Sequence, residues 1–272
     1  MTTTATSPVT WTTETAAVCG GPVSYQRGGR GAPLLVLPRE NGHAPRNEFL
    51  DLLSADFTVY YPWYPGFHGG GDPADWEWLA NARDLAVVQL QLAHAIGLDR
   101  FALAGLGFGG WIAAEMATMC STQLDALVLV APMGVHPAEN YIYDQFLVST
   151  EAYARTAFAD QAAFDTLYGA EPDFDQLEGW ETDREMTSRL AWKPYMHNRT
   201  LPRLLAGVTC PSLVVWGDQD KIVPRECGDL YGAALPNATL DILPNTGHAA
   251  DLEAPGALAA SVRRFLTSVR SQ

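Results

Sequence analysis

Three segments of this sequence carry residues whose types and spacing could do chemistry. The first is Phe101–Ala117, where apolar residues lead into Gly105-Leu106-Gly107-Phe108-Gly109-Gly110 and then a helix-like stretch. The second is Val214–Pro224, with Asp218 and Asp220 just after an apolar run, and the third is Leu243–Pro255, with His248 beside Gly247 and with Glu253 and Pro255 opening a helix. A carboxylate that holds an imidazole through one ring nitrogen leaves the other free to take a proton, so an acid and a histidine in neighbouring loops suit general-base chemistry. The glycine run has two readings. Gly105, Gly107 and Gly110 match the G-x-G-x-x-G spacing of dinucleotide loops, but that loop belongs after a first strand, with an acid closing the next one. Here the loop follows a third or fourth strand, and the next apolar run ends in Ala131-Pro132. A tight strand-to-helix turn centred on Gly107 fits better, because glycine adopts positive φ at little cost.

Those loops need strands to hold them. Short apolar runs at Leu34–Leu37, Phe57–Tyr61, Phe101–Ala104, Ala126–Val130, Ser212–Trp216 and Thr239–Leu243 read as buried parallel strands, being continuous rather than alternating. Between them, Leu85, Val88, Leu92 and Ile96 recur at helical spacing, as do Leu258, Val262, Phe265 and Val269. Strands alternating with amphipathic helices predict an α/β fold with a mainly parallel central sheet flanked by helices. Residues 136–208 break the alternation: they are rich in aromatic and acidic residues and lack a buried strand. They are predicted to form an inserted helical cap on a core made of residues 1–135 and 209–272.

The order of elbow, acid and histidine, each in a loop after a strand, is that of α/β-hydrolase triads. Over nearly its whole length the chain resembles the α/β-hydrolase fold superfamily. "LVLP" is similar to the strand before the oxyanion loop, "YPWYPGFHGGGD" to the D-x-P-G-x-G-x-S segment, and "GLGFGGWIAAEMA" to the nucleophile elbow and its helix. "WGDQDKIVP" resembles the segment supplying the acid, which points to Asp220 rather than Asp218, and "GHAADLEAP" resembles the segment supplying the histidine, His248. The resemblance implies backbone oxyanion donors at Phe108 and Glu40. It departs from the family at three places, one of them Trp63-Tyr64, where an Asp usually precedes Pro65-Gly66. Gly107 stands where the nucleophile belongs, and Pro38-Arg39 replaces the usual His-Gly. Arg39, Tyr64, His68, Trp192 and Tyr195 are the expected pocket residues.

Loss of the hydroxyl is expected to leave space for a water beside His248. The resulting expectation is a cofactor-independent enzyme whose His248–Asp220 pair acts as general base on a water or on a small apolar or aromatic substrate. Direct hydrolysis, carbon–carbon cleavage and lyase or cyclase chemistry all fit. Two other readings stand beside it: a non-catalytic ligand-binding protein of the same fold, and a serine hydrolase inactivated by a Ser-to-Gly change. No metal cluster, phosphate loop or Schiff-base lysine is evident, so no cofactor is expected. With 17 Lys and Arg against 31 Asp and Glu, the net charge of −14 argues against nucleic acid and anionic membrane as partners. That leaves a small-molecule substrate, with self-association allowed. Widely spaced cysteines (Cys19, Cys120, Cys210, Cys227) and an N-terminus without an apolar leader predict a cytoplasmic protein.

Overall fold

The computed structural model describes residues 9–44 and 47–271. The Thr-rich opening, on which the expectation of no leader partly rests, lies outside them. In chain order the elements are β1 (Thr12–Val18), β2 (Gly21–Gly29), β3 (Ala32–Leu37), α1 (Glu48–Leu53), β4 (Phe57–Pro62), α2 (Ala82–Ala95), β5 (Phe101–Leu106), α3 (Phe108–Cys120), β6 (Leu124–Val130), α4 (Thr150–Thr156), α5 (Gln161–Tyr168), α6 (Phe174–Ala191), α7 (Leu201–Leu204), β7 (Ser212–Gly217), α8 (Glu226–Ala234), β8 (Ala238–Leu243), α9 (Ala250–Glu253) and α10 (Pro255–Arg270). The strands form one eight-stranded sheet in the order β1-β2-β4-β3-β5-β6-β7-β8. From β4 through β8 every pairing is parallel, while β1–β2 and β2–β4 are antiparallel.

All six expected strands are present. The antiparallel pair β1–β2 was not expected. Strand β1 is exposed or half-buried along most of its length, so no continuous apolar run marks it. The central strands are buried on both faces, which is why they read as unbroken apolar runs. One face, carrying Leu35, Leu37 and Leu103, packs on α2 and α3. The other, carrying Leu34, Val36 and Ala104, packs on α1 and α10 through Phe49, Leu258 and Val262. On α10 the expected position Phe265 lies at the rim, and Leu266 takes the deeper place.

Between β6 and β7 the chain folds into α4–α7. Side chains cap the first three at their N-termini: Ser149 accepts from the Ala152 amide, Asp160 from that of Ala162 and Asp173 from that of Gln176. Tyr153, Phe164, Trp180 and Met186 of these helices join the same core as α2 and α3.

Register explains what meets at the sheet edge. β3 lies beside β5 with Leu37 opposite Gly105. Glu40 and Phe108 are each three residues beyond that pair, so they emerge side by side. β7 and β8 pair Gly217 with Leu243, which brings the loops holding Asp220 and His248 together. Ligands of open α/β sheets bind at this carboxyl edge, where the strand order reverses.

Candidate functional site

Gly107 sits at φ 51°, ψ −113° and caps α3. Its amide donates to the Val130 carbonyl (2.9 Å), and its own carbonyl accepts from the amides of Gly110 and Met133 (3.0 and 3.1 Å). The turn is tight on both sides. A Cβ on Gly105 would lie 2.2 Å from the Gly109 carbonyl oxygen, and one on Gly109 would lie 2.2 Å from that of Pro38. These glycines let strand and helix approach closely whether or not a nucleophile is present.

The space above Gly107 is filled. The expectation of room for a water beside His248 is corrected by the Glu40 side chain, whose carboxylate turns into the elbow. A Cβ built on Gly107 would meet Glu40 Oε2 at 2.6 Å and His248 Nε2 at 2.8 Å. Glu40 Oε2 accepts from the Phe108 amide (3.2 Å), and Oε1 accepts from the Tyr153 hydroxyl (3.2 Å). Glu40 is 1% exposed. Its carboxylate, which the long side chain carries into the elbow, is therefore the Glu40 group that meets the Phe108 amide.

His248 lies between two carboxylates. Its Nδ1 donates to Asp220 Oδ2 (2.8 Å), and Nε2 lies 3.5 Å from Glu40 Oε1, at ion-pair distance without a well-formed hydrogen bond. Asp220 is held in turn: its Oδ1 accepts from the amides of Ile222 and Val223 (2.8 and 2.9 Å). Asp218 instead faces solvent. The loop that carries His248 is pinned on both sides. Glu253 accepts from the Gly247 amide (2.6 Å), and the Ala249 amide donates to the Ala157 carbonyl (2.9 Å).

Burial opposes the charge on each group, but the neighbours prevail. The His248 imidazole is pushed up to about 9, its burial outweighed by Asp220 and then Glu40. The Glu40 carboxyl is drawn down to about 2, its burial outweighed by His248 and then Arg39. Near neutral pH the site is thus a carboxylate–imidazolium–carboxylate array.

The remaining expected residues lie at different distances from the elbow, Tyr64 and Tyr195 near enough to feel the Glu40 charge. Arg39 is buried, its guanidinium paired with the buried Asp251, which Asn47 also reaches (3.3 Å). Tyr64 is buried; its hydroxyl donates to the Pro38 carbonyl (3.0 Å), and its ring packs edge-on to Phe108. His68 is exposed on the surface beside Gly179, and its amide donates to Asp183 (2.8 Å). Trp192 is 55% exposed and packs against Phe146. The Tyr195 hydroxyl donates to the Tyr143 carbonyl (2.8 Å) and accepts from the Gln145 amide (3.0 Å), so it braces the segment it belongs to.

Two residues at the site carry no sequence signal of their own. Tyr153, on α4, reaches Glu40 across 113 residues. Asp183, on α6, lies 2% exposed against Gly42, whose missing side chain makes room for its carboxyl. Burial pushes the Asp183 carboxyl up to about 8, and the charge of Glu40 adds to this against the His68 amide bond. A carboxyl raised in the folded state costs stability as pH rises above its ordinary value of 3.8 and up to about 8. Asp183→Asn removes that proton equilibrium. Urea unfolding of the variant should show a gain over the native chain that grows from pH 4 to pH 8, on the order of 2–4 kcal/mol. Parallel stability curves would mean that Asp183 is already ionised.

The sequence profile of the Alpha/beta hydrolase family matches residues 34–261. The chain is 28% identical over 255 residues to "Putative carbamate hydrolase RutD" of Pseudomonas syringae pv. syringae (strain B728a), covering 87% of this chain and 95% of the relative. In structure it is similar to the meta-cleavage product hydrolase CumD of Pseudomonas fluorescens IP01, with TM-score 0.77 and 16% identity over 94% of this chain and 97% of that one. A bacterial membrane phospholipase A is similar too, with TM-score 0.79 and 21% identity over 96% and 87%. Sheet order, elbow geometry and profile agree, and this chain belongs to the alpha/beta hydrolase family.

Proposed function

We propose that this chain is a cofactor-independent enzyme that works without a serine nucleophile, using His248 and Asp220 for proton transfer above Gly107. The observation that supports it most is the intact Asp220–His248 hydrogen bond at 2.8 Å, with Nε2 aimed at the place a nucleophile's side chain would occupy. Idle acid–base pairs need not be held by two further amides and a pinned loop. The hydrolase names among the relatives favour hydrolytic chemistry or carbon–carbon cleavage on a small molecule.

Glu40 has a part in this reading. A substrate carbonyl that takes the Phe108 amide must displace the Glu40 carboxylate. As Glu40 leaves, the imidazolium loses one of the two carboxylates that raise its hold on the proton, and it can release the Nε2 proton to solvent. The imidazole is then neutral and still oriented by Asp220. It takes a proton from a water or from the substrate, while the Phe108 amide holds the developing oxyanion. Residues 136–208 serve as the cap: they bring Tyr153 and Asp183 over the site, and the Tyr143–Tyr153 stack (6.1 Å between centroids) favours an apolar or aromatic substrate.

The test is a panel of small aromatic esters, carbamates and vinylogous diketones. Turnover should appear without an acyl-enzyme mass adduct. His248→Gln should lower kcat by about 10²-fold or more. Turnover that this variant leaves unchanged would refute the assignment. One observation favours a second reading, a ligand-binding protein that does no chemistry: the Phe108 amide is already occupied by Glu40. Tight binding without turnover, unaffected by His248→Gln, would support it.

A further inference from the structure

A groove of ≈ 740 Å³ runs along the side of the molecule, between the start of α2, the middle of α3, the end of α6 and residues 192–199. None of Glu40, Gly107, Asp220 and His248 lines it. Its chemistry differs from that of the rest of the chain. Arg83, Arg189, Lys193 and Arg199 all line it, with one acid, Glu115. That concentration of cations is unexpected in a chain of net charge −14.

Glu115 does not neutralise the groove. It is fully buried in the floor, where Arg83 (2.7 Å), the Trp111 indole (3.1 Å) and the Asn198 amide (2.6 Å) all donate to it. One arginine is therefore matched to one carboxylate. Among the described residues, the Arg189 side chain makes one hydrogen bond, a long one to the Pro73 carbonyl (3.5 Å). Among the described residues, no carboxylate lies within ion-pair distance of Arg189, Lys193 or Arg199. Beside these charges the Trp192 ring stands 55% exposed, a large apolar face left open to water. The wall is not loose. Gly134 bonds to both sides of it, its amide donating to Met196 and its carbonyl accepting from Asn198 (both 2.9 Å).

We infer that this groove is a second binding site, separate from the elbow, for a small aromatic molecule carrying an acidic group. The three unmatched cations hold the anion, and Trp192 stacks on the ring. A concave cluster of one sign focuses its field locally even where the distant surface has the other sign. Arginine also favours the planar, forked recognition of carboxylate and phosphate oxygens.

The probe is phenyl phosphate, titrated against the full chain and followed by tryptophan fluorescence and equilibrium dialysis, with inorganic phosphate and phenol as controls. Phenyl phosphate should bind more tightly than either control. Arg189→Gln combined with Lys193→Gln should weaken it about tenfold, and raised salt should weaken it further. Trp192→Leu should bring its affinity down towards that of phosphate. These side chains lie at the surface, so unchanged far-ultraviolet dichroism will show that the variants fold. His248→Gln should leave binding unchanged, which separates this site from the proposed reaction. Absence of binding at millimolar probe, or equal binding by the Arg189–Lys193 double variant, overturns the inference. So does binding lost in His248→Gln, which would place the anion at the elbow.

Discussion

The Gly107→Ser variant should gain no esterase activity and should lose about 1–3 kcal/mol of folding stability. Its Cβ would fall 2.6 Å from Glu40 Oε2 and 2.8 Å from His248 Nε2, closer than non-bonded atoms approach. The backbone there is at positive φ, where an L side chain adds strain. Serine could enter only by expelling Glu40 from the Phe108 amide, and a buried carboxylate would lose the hydrogen bonds that hold it. Glu40→Ala in the same chain removes the closer of the two collisions and leaves the approach to His248 Nε2. The double variant should therefore recover part of the lost stability, and if either chain hydrolyses a generic ester it should be this one. Measurements of p-nitrophenyl acetate turnover and urea unfolding on the single and double variants decide the matter. Burst kinetics from Gly107→Ser alone would identify the chain as a serine hydrolase with its nucleophile removed.

The second large effect is expected at His248. Two carboxylates flank its ring, and all three side chains are at most 1% exposed. His248→Ala leaves two buried negative charges without the cation between them. Breaking a buried pair in this way costs roughly 3–5 kcal/mol, and activity should fall by about 10²–10⁴-fold. The pH dependence identifies the cause. In the native chain the raised imidazole contributes stability that is fully present below pH 6.5 and is lost as pH rises through about 9. In the variant that contribution is absent. Glu40 has also lost the imidazolium that held it ionised, so below pH 6.5, where the native imidazole's contribution no longer changes, the penalty should shrink on acidification as Glu40 takes up a proton. His248→Ala combined with Glu40→Gln should be less destabilised than His248→Ala alone. Equal losses for the two chains at every pH would show that His248 is held by packing and not by charge.

Much of this was legible in the sequence because strands buried on both faces leave continuous apolar runs, and the loops just after them can be located by counting. Gly107, Asp220 and His248 are such residues. Glu40 was legible in position but not in role: the alignment placed its amide, whereas side-chain length and the gap left by glycine decide that its carboxylate fills the elbow. Arg39 was misread because its partner, Asp251, lies 212 residues away. Contacts of that range leave no local pattern, and Tyr153 and Asp183 were missed for the same reason. Trp192 was read as a pocket aromatic for the elbow, but it lines the cationic groove with Lys193, Pro194, His197, Asn198 and Arg199. The β1–β2 hairpin was missed because its first strand lies largely open to water.

The Glu40 carboxylate has a further consequence for affinity. Towards the Phe108 amide it behaves as a tethered competitor, present at the high effective concentration that a short connection imposes. Any free molecule that offers a single oxygen to that amide contends with it, and its apparent affinity is reduced by the fraction of time the amide is vacant. Only a ligand with a second point of attachment, such as an apolar body gripped by the helices above, can win the exchange. Simple acetate or water-like groups should be turned away, and selectivity in this molecule would then begin at the threshold of the site, before any bond is made or broken.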